Sequence, residues 1–414
     1  MSNYAIMIFL QGKGNMCKTD KSKFNIPFFV QEILDGFFAA GENAYIVGGS
    51  LRDMMIGNEP NDFDLASSAE PDRVCEIFSD KRIIKTGIAH GTVTVISHGF
   101  PIEITTFRVD GDYLDMRRPD SVKFTRRIED DLSRRDFTVN AMAYNDRDGL
   151  IDLFCGAEDI EAKIIRTVGD PMLRFSEDAL RILRAFRFSA KLGFEIEGDT
   201  LSATSALCDK LSYIAKERIF SELCGIIQAK GATKALEMMA DAGVMRYVLC
   251  GYSPSPETLA QISDIRSDLI LRFAALFSDS DGETARRELS ALKASTKLRV
   301  SVARVVDAAK AEYSTREDVA RLRARVGEDF ERALELSILL GNSQESVKQY
   351  LEDKTPCDIS ELKIGGRELS AIGYKGKEIG DELYVLLERV IERPELNVAE
   401  MLLKIAKKDK GQGE

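Results

Sequence analysis

The sequence predicts an α/β head followed by an all-helical remainder. Short apolar or alternating runs, bounded by turn residues, recur between 44 and 155 with helical patterns among them. Strand signals are sparse after 157, and helical periodicity takes over to the end. At 414 residues, 44% hydrophobic and 30% charged, the chain has room for two or three domains with substantial cores.

Residues 1–22 carry QGKGN and KTDKSK, polar and turn-rich, and read as an unstructured extension in which Met16 is an alternative start. Residues 26–41 predict an amphipathic helix, with Pro27 near its first turn, Phe29, Val30, Ile33, Leu34, Phe37 and Phe38 at helical spacing, and Gly41 to stop it. The strand AYIV then runs into Gly48. Segments around 44–47, 62–66, 91–97 and 102–107 predict one small mixed sheet. A last strand pair around 139–155 ends at the turn of Cys155 and Gly156, which closes a head at 23–157. The helical remainder divides into 158–224, a body at 225–345 and a tail at 346–414. Core-forming helices of the body are ATKALEMMADAGV (232–244), LILRFAALF (269–277) and ERALELSILLGN (331–342).

Composition narrows the chemistry. No apolar run approaches the roughly 20 residues that cross a bilayer, and YAIMIFL at 4–10 is too short and lacks a signal peptide's flanks, so a cytoplasmic protein is expected. Seven cysteines are scattered without a CxxC pair, which fits reduced structural thiols. Only His90 and His98 exist, so any catalytic metal must be held by oxygens. The net charge of −11 is the wrong sign for a nucleic-acid binder, yet residues 163–191 hold seven basic against three acidic residues, a local +4.

The chemistry is concentrated in GGSLRDMMIGNEPNDFDLA, residues 48–66. Asp62 and Asp64, spaced i, i+2 on a strand, share one face and can hold divalent ions beside a triphosphate. Gly48 and Gly49 let backbone N–H groups approach phosphates, Arg52 adds a delocalised positive charge, and Asp53 is expected early in the following helix. A lone DxD is more often a solvated acidic pair, but the GGSxRD element upstream shifts the balance toward nucleotidyl transfer. Glu103 in IEI has two open readings, a third carboxylate of the site or an exposed strand glutamate; its flanking isoleucines place it on the opposite face from the core.

The run from 48 resembles the catalytic head of polymerase β-like nucleotidyltransferases. The similarity to class II tRNA nucleotidyltransferases, the CCA-adding enzymes, and to the related bacterial poly(A) polymerases continues through TGIAHGTVTV (86–95), IEITTF (102–107), DGDYLDMRRP (110–119), RRDFTVNAMAYN (134–145) and EDALRILRAFRFSAKLGFEI (177–196), about half the chain. It implies a polymerase β-like head, then an all-α neck, body and tail, with 158–224 as the neck and ELKIGGRELSAIGYKGKEIGDELYVLLERV (361–390) in a tRNA-binding tail. By the same resemblance, CTP and ATP are the nucleotides, the tRNA 3′ acceptor end is the primer, and two Mg2+ ions sit on Asp62 and Asp64. Gly49, Arg52, Arg135, Asp136, Asp178, Arg181, Arg184 and Arg187 are then nucleotide-binding residues.

Ser176 reads as the N-cap of a helix on which Asp178, Arg181 and Arg184 share a face, while Arg187 drifts to its edge. A carboxylate accepts from an exocyclic amine and a guanidinium donates to a ring acceptor, so one acid and one arginine can select C and A and reject U and G. An isolated acid and base three apart would otherwise be a surface ion pair. The charged, glycine-containing stretch 110–119 suggests a loop that moves; in the resembled family a flexible loop here serves the switch from C to A, and CC-only enzymes lack it. A poly(A) polymerase tends to carry a basic LLGRRF-like segment where IIKTGIAHGTVTV stands here, which favours CCA addition over poly(A), CC-only or A-only addition. A catalytically silent RNA binder would have lost an aspartate, and a small-molecule nucleotidyltransferase would not need the long helical remainder.

Overall fold

In the computed structural model, residues 24–88, 91–110, 122–311, 313–341, 345–353 and 355–411 are described. The extension at 1–22 and all but the first residue of the loop at 110–119 lie outside them. The chain divides into two compact units, one running to Cys250 and one from Gly251.

In the first unit, α1 (Phe28–Ala39) leads to β1 (Ala44–Val47), α2 (Gly48–Ile56), β2 (Phe63–Ser67), α3 (Pro71–Ile77), β3 (Arg82–Ile84), β4 (Thr92–Ser97), β5 (Phe100–Thr106), β6 (Arg108–Asp110), β7 (Val122–Phe124), α4 (Ile128–Ser133), β8 (Met142–Asn145) and β9 (Gly149–Asp152). There follow α5 (Gly156–Ala162), β10 (Ile164–Ile165), α6 (Pro171–Glu177), α7 (Leu180–Leu192), β11 (Glu195–Ile196), α8 (Gly198–Leu207), α9 (Lys216–Gln228), α10 (Ala232–Asp241) and α11 (Met245–Val248). The second unit holds α12 (Pro256–Ala260), α13 (Leu269–Leu276), α14 (Gly282–Ala291), α15 (Thr296–Ala309), α16 (Arg316–Val326), α17 (Phe330–Leu339), α18 (Glu345–Asp353), α19 (Gly366–Ala371), α20 (Lys377–Glu392) and α21 (Ala399–Asp409). The α/β head and the helical remainder are therefore as the sequence predicts. The second unit is helical throughout its described residues, and Val319, Leu386, Ile391 and Leu402 centre one of its cores. No helix among the described residues is long and apolar enough to cross a membrane.

The head is built on a seven-stranded sheet in the order β3-β4-β5-β2-β1-β8-β9. Its pairs are antiparallel except β2 with β5, which run parallel with Asp64 opposite Glu103. One face carries Ile46, Leu65, Val93, Val95, Ile102 and Ile104 against Val30, Ile33, Leu34 and Phe37 of α1 and Val74 of α3. The other carries Tyr45, Val47 and Ala66 against Ile128 and Leu132 of α4. Because side chains alternate, Leu65 faces the first core and leaves Asp64 on the α4 side. α1 is stopped as expected, with Gly41 at φ +77°.

The hairpin β8–β9 ends where the turn residues stand, and Gly156 there has no room for a side chain. A Cβ would lie 2.3 Å from the Thr138 carbonyl oxygen and 2.9 Å from Met142 Sδ. Gly156→Ala is expected to cost about 1–3 kcal/mol, measured by urea unfolding; an unchanged midpoint would mean that this packing yields freely.

Candidate active site

Val47 delivers the chain from β1 into α2, whose first residue, Gly48, adopts φ +68°. A Cβ on Gly48 would stand 3.3 Å from Arg135 Nη1 and 3.8 Å from Asp64 Oδ2, so this glycine touches both the acidic and the basic side of the site. Ser50 Oγ donates to the Val47 carbonyl at 2.9 Å and lies 3.4 Å from the Asp64 amide, which ties the start of α2 to β2. Asp53 lies beyond the first turn, because α2 already begins at Gly48. It pairs instead with its neighbour Arg52 at 2.7 Å.

Asp62 is in the bend before β2 and Asp64 is on the strand. Burial, then the charges of Asp62 and Glu103, push the Asp64 carboxyl up to about 6, with Arg135 acting in the opposite direction. The three carboxylates are thus electrostatic neighbours. Glu103 is exposed between buried Ile102 and Ile104, on the face that the alternation predicts.

The basic side is built from RRDFTVNA. Asp131, buried on α4, accepts from Arg134 through Oδ1 at 2.7 and 3.0 Å and from Arg135 through Oδ2 at 2.9 and 3.3 Å, so one carboxylate fixes two arginines. Arg52 donates to Asn140 Oδ1 at 2.7 Å, and the Asn140 amide reaches Asp136 Oδ1 at 3.4 Å. Asp136 Oδ2 in turn accepts from Arg184 Nε at 2.7 Å. Burial alone would raise the Asp136 carboxyl, but the Arg184 guanidinium outweighs it and holds the group below the usual carboxylate range. Phe137, Val139 and Met142 are core residues, as expected.

The predicted helix start at Ser176 is not what forms. Ser176 lies inside α6, which ends at Glu177, and Asp178 is extended at φ −142°, ψ 103° before α7 begins at Leu180. The three-residue step from Asp178 to Arg181 therefore fails. Asp178 Oδ1 accepts from the Leu180 amide at 3.0 Å, and Oδ2 accepts from Arg218 on α9 at 2.9 Å. Arg181, 8% exposed, pairs with Glu177 at 2.6 Å and donates to the Arg134 carbonyl at 3.0 Å.

Arg187 Nε lies 3.0 Å from Glu222 Oε2 but off the hydrogen-bonding direction, so neither atom has a hydrogen-bond partner. Gly225 makes room for it: a Cβ there would be 2.7 Å from Arg187 Cδ. Three guanidiniums, those of Arg52, Arg184 and Arg187, gather around the Phe188 ring at 5.4, 5.2 and 5.3 Å from its centroid. The basic window at 163–191 is thus partly neutralised from outside, by Asp136, Asp159, Glu197 and Glu222.

Asp131, Glu177, Arg218 and Glu222 belong to this network, and the sequence reading gave none of them a place in the site. Only Asp131, three and four residues before Arg134 and Arg135 on a short helix, carried a local signal.

The family model of the poly A polymerase head domain matches residues 44–166, and that of a probable RNA- and SrmB-binding site of polymerase A matches 193–260. The CCA-adding enzyme of Leuconostoc mesenteroides is 37% identical over 392 residues, 91% of this chain and 95% of that relative. The chain belongs to the CCA-adding enzyme family. The CCA-adding enzyme of Ligilactobacillus salivarius is 35% identical over 390 residues, again 91% of this chain and 95% of that relative. The structure of the Bacillus stearothermophilus CCA-adding enzyme in complex with CTP superimposes with a TM-score of 0.77 at 29% identity, covering 93% of this chain and 98% of that one.

CCA-adding enzymes are nucleotidyltransferases, and so is this chain. Nucleotidyltransferases of this kind generally use divalent metal ions. Among the described residues no group of three or more His, Cys, Asp and Glu is gathered closely enough to hold an ion by itself. Magnesium is commonly held through one or two carboxylates together with substrate phosphates and water. The hard oxygens of Asp62, Asp64 and Glu103, which disfavour one another's charge at Asp64, fit such an ion.

Proposed function

We propose that this chain adds C, C and A to the 3′ end of tRNA from CTP and ATP and releases pyrophosphate. End-to-end similarity to CCA-adding enzymes carries this reading, together with both head aspartates in place. Asp62 and Asp64 would hold two magnesium ions, with Glu103 beside them. Bound divalent ions would stabilise the attacking and leaving oxygens of the displacement.

The chain's own residues position the substrates. The missing Cβ of Gly48 and the free N–H groups of the first turn of α2, including that of Gly49, admit the triphosphate between the acidic pair and Arg135. Arg135 and Arg52, fixed by Asp131 and by Asp53 and Asn140, present charge without having to be ordered at the moment of binding. Asp136 acts through Arg184, and Glu222 through Arg187. Of the pair expected to read the base edge, Asp178 keeps acceptor capacity for it, whereas both Nη groups of Arg181 are engaged, by Glu177 and the carbonyls of Arg174 and Arg134. Arg218 and the Leu180 amide use one lone pair on each Asp178 oxygen, which leaves acceptor capacity for the exocyclic amine shared by cytosine and adenine. Residues 158–224 serve as the neck, 225–345 as the body and 346–414 as a tRNA-binding tail of a cytoplasmic enzyme.

Purified protein with magnesium is expected to extend tRNA transcripts ending before CCA, after C, or after CC to complete CCA, and then stop. Long A tails would make it a poly(A) polymerase, and arrest after CC or activity on the CC-ended primer alone would mark a specialist.

A further inference from the structure

We propose that Thr94 is a positioning residue for nucleotidyl transfer, whose hydroxyl donates to Glu103 and holds that carboxylate for a divalent ion. The inference rests on the reading above, in which Glu103 stands beside the ions of Asp62 and Asp64. The register of the sheet carries it. β2 and β5 set Asp64 opposite Glu103, β4 and β5 set Glu103 opposite Thr94, and β3 and β4 set Thr94 opposite Ile84. Residues paired across neighbouring strands point to the same face, so these four form one row across the sheet. Val93 and Val95, on either side of Thr94, enter the apolar core with Ile102 and Ile104, which leaves half-buried Thr94 on the side of Glu103. In an antiparallel pair such as this one the two Cβ atoms stand about 4.5–5.5 Å apart, within reach of a hydroxyl and a carboxylate.

Glu103 needs such a partner. Asp131 is held by Arg134 and Arg135, and Asp136 by the Phe137 amide and Arg184. Glu103, exposed on β5, has neither a hydrogen bond nor an ion pair among the described residues. A long, unheld glutamate loses rotamer freedom when an ion fixes it, and a donor that already restrains it lowers that cost. Within the row Asp64 brings a like charge and Ile84 brings no donor. Thr94 alone places a hydroxyl directly across, and that hydroxyl has no other hydrogen bond among the described residues. In the next row on one side, the hydroxyls of Thr92 and Thr105 lie 3.0 Å apart and serve each other. On the other side Ile96 and Pro101 offer no side-chain donor.

The residue type suits the task. A branched Cβ restricts χ1, so the strand sets where the Thr94 hydroxyl lies. A carboxylate has lone pairs on two oxygens, and one oxygen can face an ion while the other accepts from a hydroxyl. Carboxylates that ligate metals are commonly held by hydrogen bonds of this kind, and losing the outer partner typically weakens metal binding or activity by about 10–100-fold.

The test compares full-length wild type with Thr94→Val, which keeps the branched shape and removes the hydroxyl, and Thr94→Ser, which keeps the hydroxyl. Mn2+ binding with CTP present and no primer is read from the electron paramagnetic resonance signal of the free ion. Melting without divalent ions and single-turnover incorporation against Mg2+ concentration are measured in parallel. Thr94→Val is expected to weaken Mn2+ binding about tenfold and to raise the Mg2+ needed for half-maximal incorporation by a similar factor. The KM for CTP at saturating Mg2+ and the melting midpoint should hold, and Thr94→Ser should recover most of the Mn2+ affinity. In a Glu103→Ala background, Thr94→Val should weaken Mn2+ binding no further. Unchanged Mn2+ affinity in Thr94→Val would overturn the proposal. So would equal losses in the Val and Ser variants, which would trace the effect to packing, or a full further loss in the Glu103→Ala background. A wild type that transfers no nucleotide would instead remove the functional reading on which the proposal rests.

Discussion

Replacing Asp64 by Ala is expected to lower kcat/KM for nucleotide addition by about 10^3-fold or more, roughly 4 kcal/mol on the barrier, while the thermal midpoint without divalent ions holds or rises. The two effects have opposite signs on the catalytic role proposed for this carboxylate. Asp64 is half-buried on β2 beside Asp62 and Glu103, and burial and those two charges all disfavour its ionised form. Removing it relieves that repulsion and costs the core nothing, since Leu65, not Asp64, faces the apolar side. Single-turnover incorporation of CTP or ATP on matched primers, paired with calorimetry, separates the cases. A lowered midpoint would make Asp64 a structural residue, and turnover persisting in the Asp62→Ala, Asp64→Ala double variant would remove the catalytic assignment.

Asp136→Ala is expected to do the reverse and cost stability, about 3–5 kcal/mol, as removing one partner of a buried ion pair does. Asp136 is 9% exposed and joins three elements: it accepts from the Phe137 amide, from Asn140 and from Arg184. Without it, Arg184 keeps a positive charge in a site already crowded by Arg52 and Arg187 around Phe188. The pH dependence follows from the depressed carboxyl. Its contribution is present above the ordinary carboxylate range near 4 and is lost as pH falls through the lower folded value. Asp136→Asn should retain much of the volume and flatten this acid limb of the stability profile. Equal acid limbs in the variant and the wild type would show that the ion pair contributes no such dependence.

The head was legible where burial alone decides structure. AYIV reports a strand buried on both faces, the alternation around Glu103 and the amphipathic pattern of 26–41 each report one apolar face, and each forms the element predicted. β3 escaped because Arg82–Ile84 is a three-residue edge strand with too few positions to show a period. The break at Asp178 escaped for a different reason. The sequence reads as one helix from Ser176, and at the break Asp178 accepts locally from the Leu180 amide and, through its other oxygen, from Arg218, forty positions away (218 − 178). Glu222 was invisible in the same way, as an acid on an ordinary amphipathic helix whose partner, Arg187, lies across the fold. Residue types were thus readable for the acidic pair, the arginines and Asp136, while Glu177 and Glu222, which face Arg181 and Arg187, were not.

The one parallel pairing in the sheet bears on how the protein behaves before it is finished. Asp64 and Glu103 are 39 positions apart (103 − 64), and they meet only when β5, already folded back on β4, docks beside β2. Local hairpins form without this step, because they close short loops, whereas the parallel contact must close a long one. A slip of one residue on β2 would turn Asp64 into the apolar core and bring a hydrophobic neighbour to the surface. A head in which this pairing has not formed, or has formed out of register, therefore lacks the cluster of Asp64 and Glu103.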